Sequence, residues 1–257
     1  MKIALGQMHI RWEDKAANLA RVENWMELLK EKNVDLFTLP EMSLTGFSMH
    51  TELTKETDNI TVAEAEKLAR NYQMAVGIGW VKDEGKFCEN RYSIVIPEGE
   101  ILEYTKLHPF SYSGEDRYFQ GGTALPVCEY RGYYLGVQIC YDLRFPEAFQ
   151  ALSRQADLIL VPANWPGRRR EHWISLLQAR AIENQCYIAG VNCVGDMDGQ
   201  TYTGDSRLYG PDGALCSGET LMSADAQPGE CAFIYDIDDQ VKKVRTQFPV
   251  KKDRRDA

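Results

Sequence analysis

Three residue types that together can hydrolyse an amide recur along this chain in distinctive local surroundings. A carboxylate stands in Leu39-Pro40-Glu41, an ammonium in Lys106-Leu-His-Pro-Phe110, and a thiol in Gln138-Ile-Cys140-Tyr-Asp-Leu-Arg-Phe-Pro-Glu147. A thiol with a pKa of ~8.5 already supplies a few per cent of thiolate at neutral pH, which makes cysteine a natural nucleophile for an amide carbon. A carboxylate can take the thiol proton, and an ammonium can stabilise the oxyanion that forms on the attacked carbonyl.

The three lie 65 and 34 positions apart, so no single helix or hairpin joins them. Each flank reads as the end of a strand. Val34 to Leu39 is an apolar run stopped by Pro40, Ile101 to Thr105 is a short β-leaning stretch, and Tyr133 to Ile139 is apolar and bounded by Gly132. Catalytic residues at strand ends are a common arrangement in layered α/β proteins.

In type, order and local sequence these segments resemble the nitrilase superfamily of carbon-nitrogen hydrolases, and the likeness runs from Lys2 to Pro249. The resemblance implies a Glu41, Lys106, Cys140 triad and an α/β fold: a four-layer α-β-β-α sandwich of two mixed sheets, usually dimerised through one helical layer. It implies no metal or other cofactor. Glu115, in Ser113-Gly-Glu-Asp-Arg-Tyr-Phe119, matches a second glutamate of many family amidases that helps position substrate and lysine; its other reading is a solvated loop acid.

Within the triad Lys106 favours the thiolate and Glu41 disfavours it. Each effect reaches about 4 kcal/mol at 4 Å with an effective dielectric near 20, so the two are expected to cancel and leave a neutral resting thiol. The backbone N–H of Tyr141, next after the nucleophile on a sharp strand-to-helix turn, is a candidate second oxyanion donor.

Bulk properties bound the alternatives. The 257 residues, 44% hydrophobic, suit one domain with no linker or repeat, and residues 250–257 read as a flexible tail. A formal charge of −9 opposes binding to nucleic acid or anionic membranes. No run approaches the ~20 apolar residues of a membrane span, and the N-terminus reads as a strand, so a cytoplasmic protein is expected. Seven cysteines without a Cys-x-x-Cys pair argue against a disulfide scaffold or a zinc site and read mostly as buried free thiols.

The elements expected to position the trio alternate. Helical spacing marks 18–30, 62–72, 147–155 and 171–184; strands are read at 2–8, 34–39, 74–80, 91–96, 101–105, 133–139, 158–161, 187–192, 207–209 and 232–235. Strands outnumber helices, which favours two sheets over one doubly wound sheet.

For the substrate, Arg144 lies four residues past Cys140, where it either reaches a substrate carboxylate or forms a salt bridge with Glu147 or Asp142. Asn164 and Trp165 follow a strand and are candidate substrate contacts, Trp165 as an apolar wall or as a core residue. Arg168, Arg169 and Arg170 are either an anion site at a helix start or exposed cations offset by Glu171. The run from Val161 to Trp173, with Cys140-Tyr-Asp-Leu-Arg-Phe-Pro146, is similar to the omega-amidase branch, which hydrolyses the terminal amide of 2-oxoglutaramate and related monoamides. Nitrilases usually carry Cys-Trp-Glu at the nucleophile, so Cys-Tyr-Asp points to an amide. Lys106-Leu-His-Pro-Phe110 departs from the branch's usual Lys-x-His-Leu-Phe. The expected partners are a small amide and a second copy of the chain in a homodimer or larger homo-oligomer. An N-carbamoyl amide hydrolase with the same triad is the alternative within catalysis; a non-catalytic binding or scaffold module is the alternative outside it.

Overall fold

The structure, a computed structural model, describes residues 1–255. In chain order its strands and helices are β1 (Lys2–Gln7), α1 (Lys15–Lys30), β2 (Leu36–Thr38), α2 (Thr51–Thr54), α3 (Ile60–Tyr72), β3 (Ala75–Asp83), β4 (Cys88–Ile96) and β5 (Gly99–Thr105). They continue with β6 (Val127–Tyr130), β7 (Tyr133–Val137), α4 (Pro146–Leu152), β8 (Leu158–Ala163), α5 (Arg170–Asn184), β9 (Tyr187–Asn192), β10 (Val194–Met197), β11 (Gln200–Thr203), β12 (Arg207–Tyr209), β13 (Glu219–Leu221), β14 (Cys231–Asp236) and α6 (Gln240–Gln247). Local chemistry fixes several helix starts: the Asp14 side chain accepts from the Ala17 N–H ahead of α1, and Pro146 opens α4, where its missing N–H costs nothing.

The strands form two large mixed sheets. One has seven strands in the order β13-β14-β1-β2-β3-β4-β5, the other five in the order β12-β9-β8-β7-β6, and β10 pairs with β11 apart from both. Strands β1, β2 and β3 run parallel, as do β7, β8 and β9, while β3, β4 and β5 form an antiparallel meander.

Period-two alternation sorts side chains into separate cores. In β1, Ile3 and Leu5 join Leu135, Leu158 and Leu160 between the sheets, while Ala4 meets Val22, Trp25 and Met26 of α1. In β8 and β9, Leu160 and Ala189 face the inter-sheet core, while Ile159 and Ile188 pack with Trp173 and Leu177 of α5. The result is the expected four-layer sandwich of helices, sheet, sheet and helices.

Short or polar strands β6, β10, β11 and β13 and helices α2 and α6 were not expected, because their alternation is brief and mostly polar. Part of the segment read as a tail is packed: residues Val250–Lys252 form a 3-10 turn, Lys251 Nζ donates to Ser153 O, and Arg254 donates to Glu183 O at 2.6 Å. Positions 256 and 257 lie outside the described residues. Among the described residues no helix is long and apolar enough to cross a membrane.

One close approach sets the active end of the molecule. Gly79 of β3 runs against the turn after β2, exchanging hydrogen bonds with Ser43; a Cβ there would sit 2.4 Å from Met42 N and 3.0 Å from the Glu41 carbonyl carbon. These obstacles are backbone, which cannot swing aside. Gly79→Ala is therefore expected to cost about 1–3 kcal/mol, read by urea unfolding, and to lower activity in the folded fraction by displacing Glu41; wild-type stability and activity would contradict this packing argument.

Candidate active site

The candidate residues sit where strands of both sheets end. Glu41 follows β2 and Lys106 directly follows β5, both in the seven-stranded sheet; Cys140 follows β7 and Asn164 directly follows β8, in the five-stranded sheet. The site thus lies at the seam of the sandwich, which none of the segments could form alone.

Lys106 is 1% exposed, and its ammonium is shared by two fully buried carboxylates: Nζ lies 2.8 Å from Glu41 Oε1 and 2.9 Å from Glu115 Oε2. Asn90 ties the same two acids together, Nδ2 donating to Glu41 Oε1 at 2.8 Å and to Glu115 Oε1 at 3.1 Å. The Asn164 N–H donates to Glu41 Oε2 at 3.0 Å, and the Phe110 N–H donates to Glu115 Oε2. Burial works against the Lys106 ammonium, but the charges of Glu115 and Glu41 outweigh it and raise its pKa. Glu115 is raised chiefly by burial, against the attraction of Lys106. The solvated-acid reading of Glu115 is thereby excluded.

Cys140 has φ +46°, an uncommon conformation for a side-chain-bearing residue, and opens the 3-10 turn Cys140–Arg144. Asp142 holds that turn. Its buried carboxylate accepts from the Ile139 N–H at 3.0 Å, Tyr104 OH at 2.7 Å and the His108 N–H at 3.0 Å, and lies 2.8 Å from His108 Nδ1. The Tyr141 N–H lies in the first turn of this element, where amide groups lack an internal partner. Burial and then the Glu41 charge raise the Cys140 thiol well above its ordinary range, with Lys106 opposing them. The neutral resting thiol agrees with the sequence reading, but for a different reason: desolvation, omitted from the two-charge argument, comes first.

A cavity of about 210 Å³ opens onto these groups, lined by Lys106, Cys140, Asn164, Trp165, Arg144 and Arg169, with the Tyr141 ring beside Phe110. All eight sequence-derived candidates are therefore brought together: Tyr141, Arg144, Asn164 and Trp165 line the cavity with Lys106 and Cys140, and Glu41 and Glu115 buttress Lys106. Arg144 makes no salt bridge with Glu147 or Asp142 among the described residues; its guanidinium lies over the Trp165 ring, 4.8 Å from the centroid, and 3.3 Å from His172 Nδ1. Trp165 is both wall and core, since it lines the cavity while packing on Trp173.

Sequence reasoning missed Asn90, Asp142 and Phe47. Phe47 places its ring 5.2 Å from Lys106 Nζ. Asn90 lies in the polar first half of β4 between Glu89 and Arg91, and its burial, which requires hydrogen-bond partners, shows only in the fold.

A profile of the carbon-nitrogen hydrolase family matches residues 2–245. The chain belongs to the carbon-nitrogen hydrolase family. This hydrolase is 36% identical over 235 residues to omega-amidase YafV of Yersinia enterocolitica, covering 90% of this chain and 87% of that protein. It is 30% identical over 254 residues to the 2-oxoglutaramate amidase of Bacillus subtilis, covering 97% and 95%. Its fold superposes on XC1258 of Xanthomonas campestris, a CN-hydrolase superfamily protein with an arsenic adduct in its active site, with a TM-score of 0.90, 30% identity and coverage of 100% and 98%.

The electrostatics of the hydrolase can be checked directly. The pH dependence of Cys140 alkylation, followed by mass spectrometry of its peptide, should show an inflection above the ordinary thiol range. In Glu41→Gln the inflection should move down, because the opposing charge is gone, yet remain above that of an exposed thiol, because burial persists. An inflection below pH 7 in the wild type would mean a resting thiolate and overturn this account.

Proposed function

We propose that this hydrolase removes the terminal carboxamide of a small carboxylate-bearing amide, such as 2-oxoglutaramate or succinamate, through a thioester on Cys140. The observation that carries the proposal is the buried Lys106 ammonium, held by two carboxylates beside the thiol in an arginine-bearing cavity. The two named amidase relatives support the same substrate class.

In this reading Glu41 takes the thiol proton as sulfur attacks the amide carbon, and Lys106 with the Tyr141 N–H stabilises the oxyanion. Asn164 Oδ1, buried without a hydrogen-bond partner among the described residues, is an acceptor for the carboxamide NH₂. Collapse breaks the C–N bond, and ammonia leaves with the proton from Glu41. The same carboxylate then deprotonates water, which attacks the thioester; the acid is released and the thiol is re-formed. Glu115 acts as a positioning residue through Lys106. The chain works as one catalytic domain, and free thiols at all seven cysteines suit a reducing, cytoplasmic setting. A homo-oligomer built on the helical layer that includes α5 fits the exposed Ile182 side chain of α5.

The test is ammonia release from 2-oxoglutaramate, succinamate, glutaramate, N-carbamoyl amino acids and simple nitriles. The dicarboxylate monoamides should be preferred and Cys140→Ala should be inactive; carbon dioxide released with the ammonia would instead mark a carbamoylase. Glu115→Gln leaves Lys106 one carboxylate, so the fold should persist while kcat falls about 10²-fold, the scale of losing a well-placed oxyanion donor, with KM little changed. An unaltered kcat would remove Glu115 from the mechanism.

A further inference from the structure

The three consecutive arginines after Pro166 have different fates. Arg170 is neutralised at the surface: Nε and Nη2 lie 2.7 Å from the two carboxylate oxygens of Asp205, and Nη1 lies 3.0 Å from Glu171. Arg168 lines the cavity but is exposed. Arg169 is partly buried on the cavity wall, its guanidinium 5.3 Å from the Phe110 ring centroid, and it has no ion pair among the described residues.

Its placement is built rather than incidental. The Arg169 carbonyl accepts from Trp165 Nε1 at 2.8 Å, its N–H donates to Pro166 O at 3.0 Å, and the Trp165 N–H is itself fixed by Asn192 Oδ1 at 2.7 Å. The Phe110 beneath the guanidinium is the residue whose N–H holds Glu115. A planar guanidinium on an aromatic face keeps its donor edge free for a carboxylate. Burial, then the neighbouring Arg168, lowers its pKa, so the charge lacks the compensation that an anion would provide. Arg144, by contrast, is engaged with Trp165 and His172. Asp198, the one acid among the cavity-lining residues, makes no ion pair with Arg169 among the described residues.

We propose that Arg169 is the specificity-determining residue for the substrate's free carboxylate, which it binds against Phe110 while the carboxamide carbon lies at Cys140. This rests on the carboxylate-bearing amide reading above. The charge distribution orients the substrate: Glu41 and Glu115 outnumber Lys106 and repel an anion from the reacting end, so the carboxylate is accepted only at the arginine end.

The experiment compares kcat/KM for succinamate and for its uncharged methyl ester in the wild type, Arg169→Gln, Arg169→Lys and Arg170→Gln, with thermal unfolding as the folding control. The wild type prefers succinamate. Arg169→Gln should lose about 10- to 100-fold on succinamate, mainly in KM, the scale of a charge-assisted hydrogen bond, and change little on the ester. Arg169→Lys should retain part of the preference if Gln abolishes it, and Arg170→Gln should match the wild type. A preference intact in Arg169→Gln, or an equal loss on both substrates, overturns the assignment while leaving the substrate class standing. A wild type that does not distinguish acid from ester overturns both.

Discussion

An ammonium as buried as that of Lys106 stays charged only if partners replace the water it has lost. The effective penalty is several kcal/mol per ion even after relaxation. Here Glu41 and Glu115 supply the compensation from the two sides, and their contacts of 2.8 and 2.9 Å fix the ammonium in one place. Burial is the first cause that raises both the Cys140 thiol and the Glu115 carboxyl, and the two acids around one base add to it, since the Glu41 charge raises both groups against the opposing Lys106. The resting site is therefore poised rather than discharged: thiol, carboxylate and ammonium keep their separate protonation states until an electrophilic carbon enters.

The fold exists in this form largely to hold that cluster. Glu41 and Lys106 come from strand ends of one sheet, and Cys140 and Asn164 from strand ends of the other, so the inter-sheet core fixes their separation. The N–H and side chain of Asn164 reach across to Glu41, the latter donating to the Glu41 carbonyl at 2.6 Å, and join the two sheets with polar bonds where the apolar core stops. Asn90 performs the corresponding task within the seven-stranded sheet. Cys140 has a positive φ, and Asp142 in the same turn accepts from the Ile139 N–H just before the nucleophile and from the His108 N–H just after Lys106, tying the nucleophile's turn to the Lys106 segment.

The placement of Glu41, Lys106 and Cys140 at strand ends was legible in the sequence because each sits beside a strand-ending signal, Pro40 next to Glu41, the close of a β-leaning run before Lys106 and an apolar run before Cys140, whereas their grouping as a triad came from the family resemblance. The two-sheet architecture was legible from the excess of strands over helices. Asn90 was harder to see because it stands among Glu89, Arg91 and Ser93 in β4, where nothing local marks it out, and its partners lie 49 and 25 positions away. The arginine run was illegible for a similar reason. Glu171 sits next to it in sequence, yet the acid that captures Arg170 is mainly Asp205, 35 positions on, and nothing local distinguishes Arg170 from Arg169. The expected cancellation at the thiol overlooked desolvation, which depends on burial and cannot be counted from charges.

A chain carrying a formal charge of −9 would be a poor receptor for an anion if net charge governed the encounter. At physiological ionic strength, however, the Debye length is about 8 Å, so an approaching carboxylate responds to the side chains it meets last. Those are Arg144, Arg168 and Arg169 at the cavity, with Asp198 the one acid beside them. Further in, the sign reverses, because Glu41 and Glu115 outnumber Lys106. An anion is thus drawn to the cavity and stopped short of the nucleophile, whereas an uncharged carboxamide can continue to Cys140. A molecule bearing one group of each kind satisfies both regions at once and does so in a single orientation. The same two-signed field favours departure after reaction: once the amide has become an acid, the product presents a carboxylate to the excess negative charge around Cys140, and hydrolysis itself creates the repulsion that clears the site.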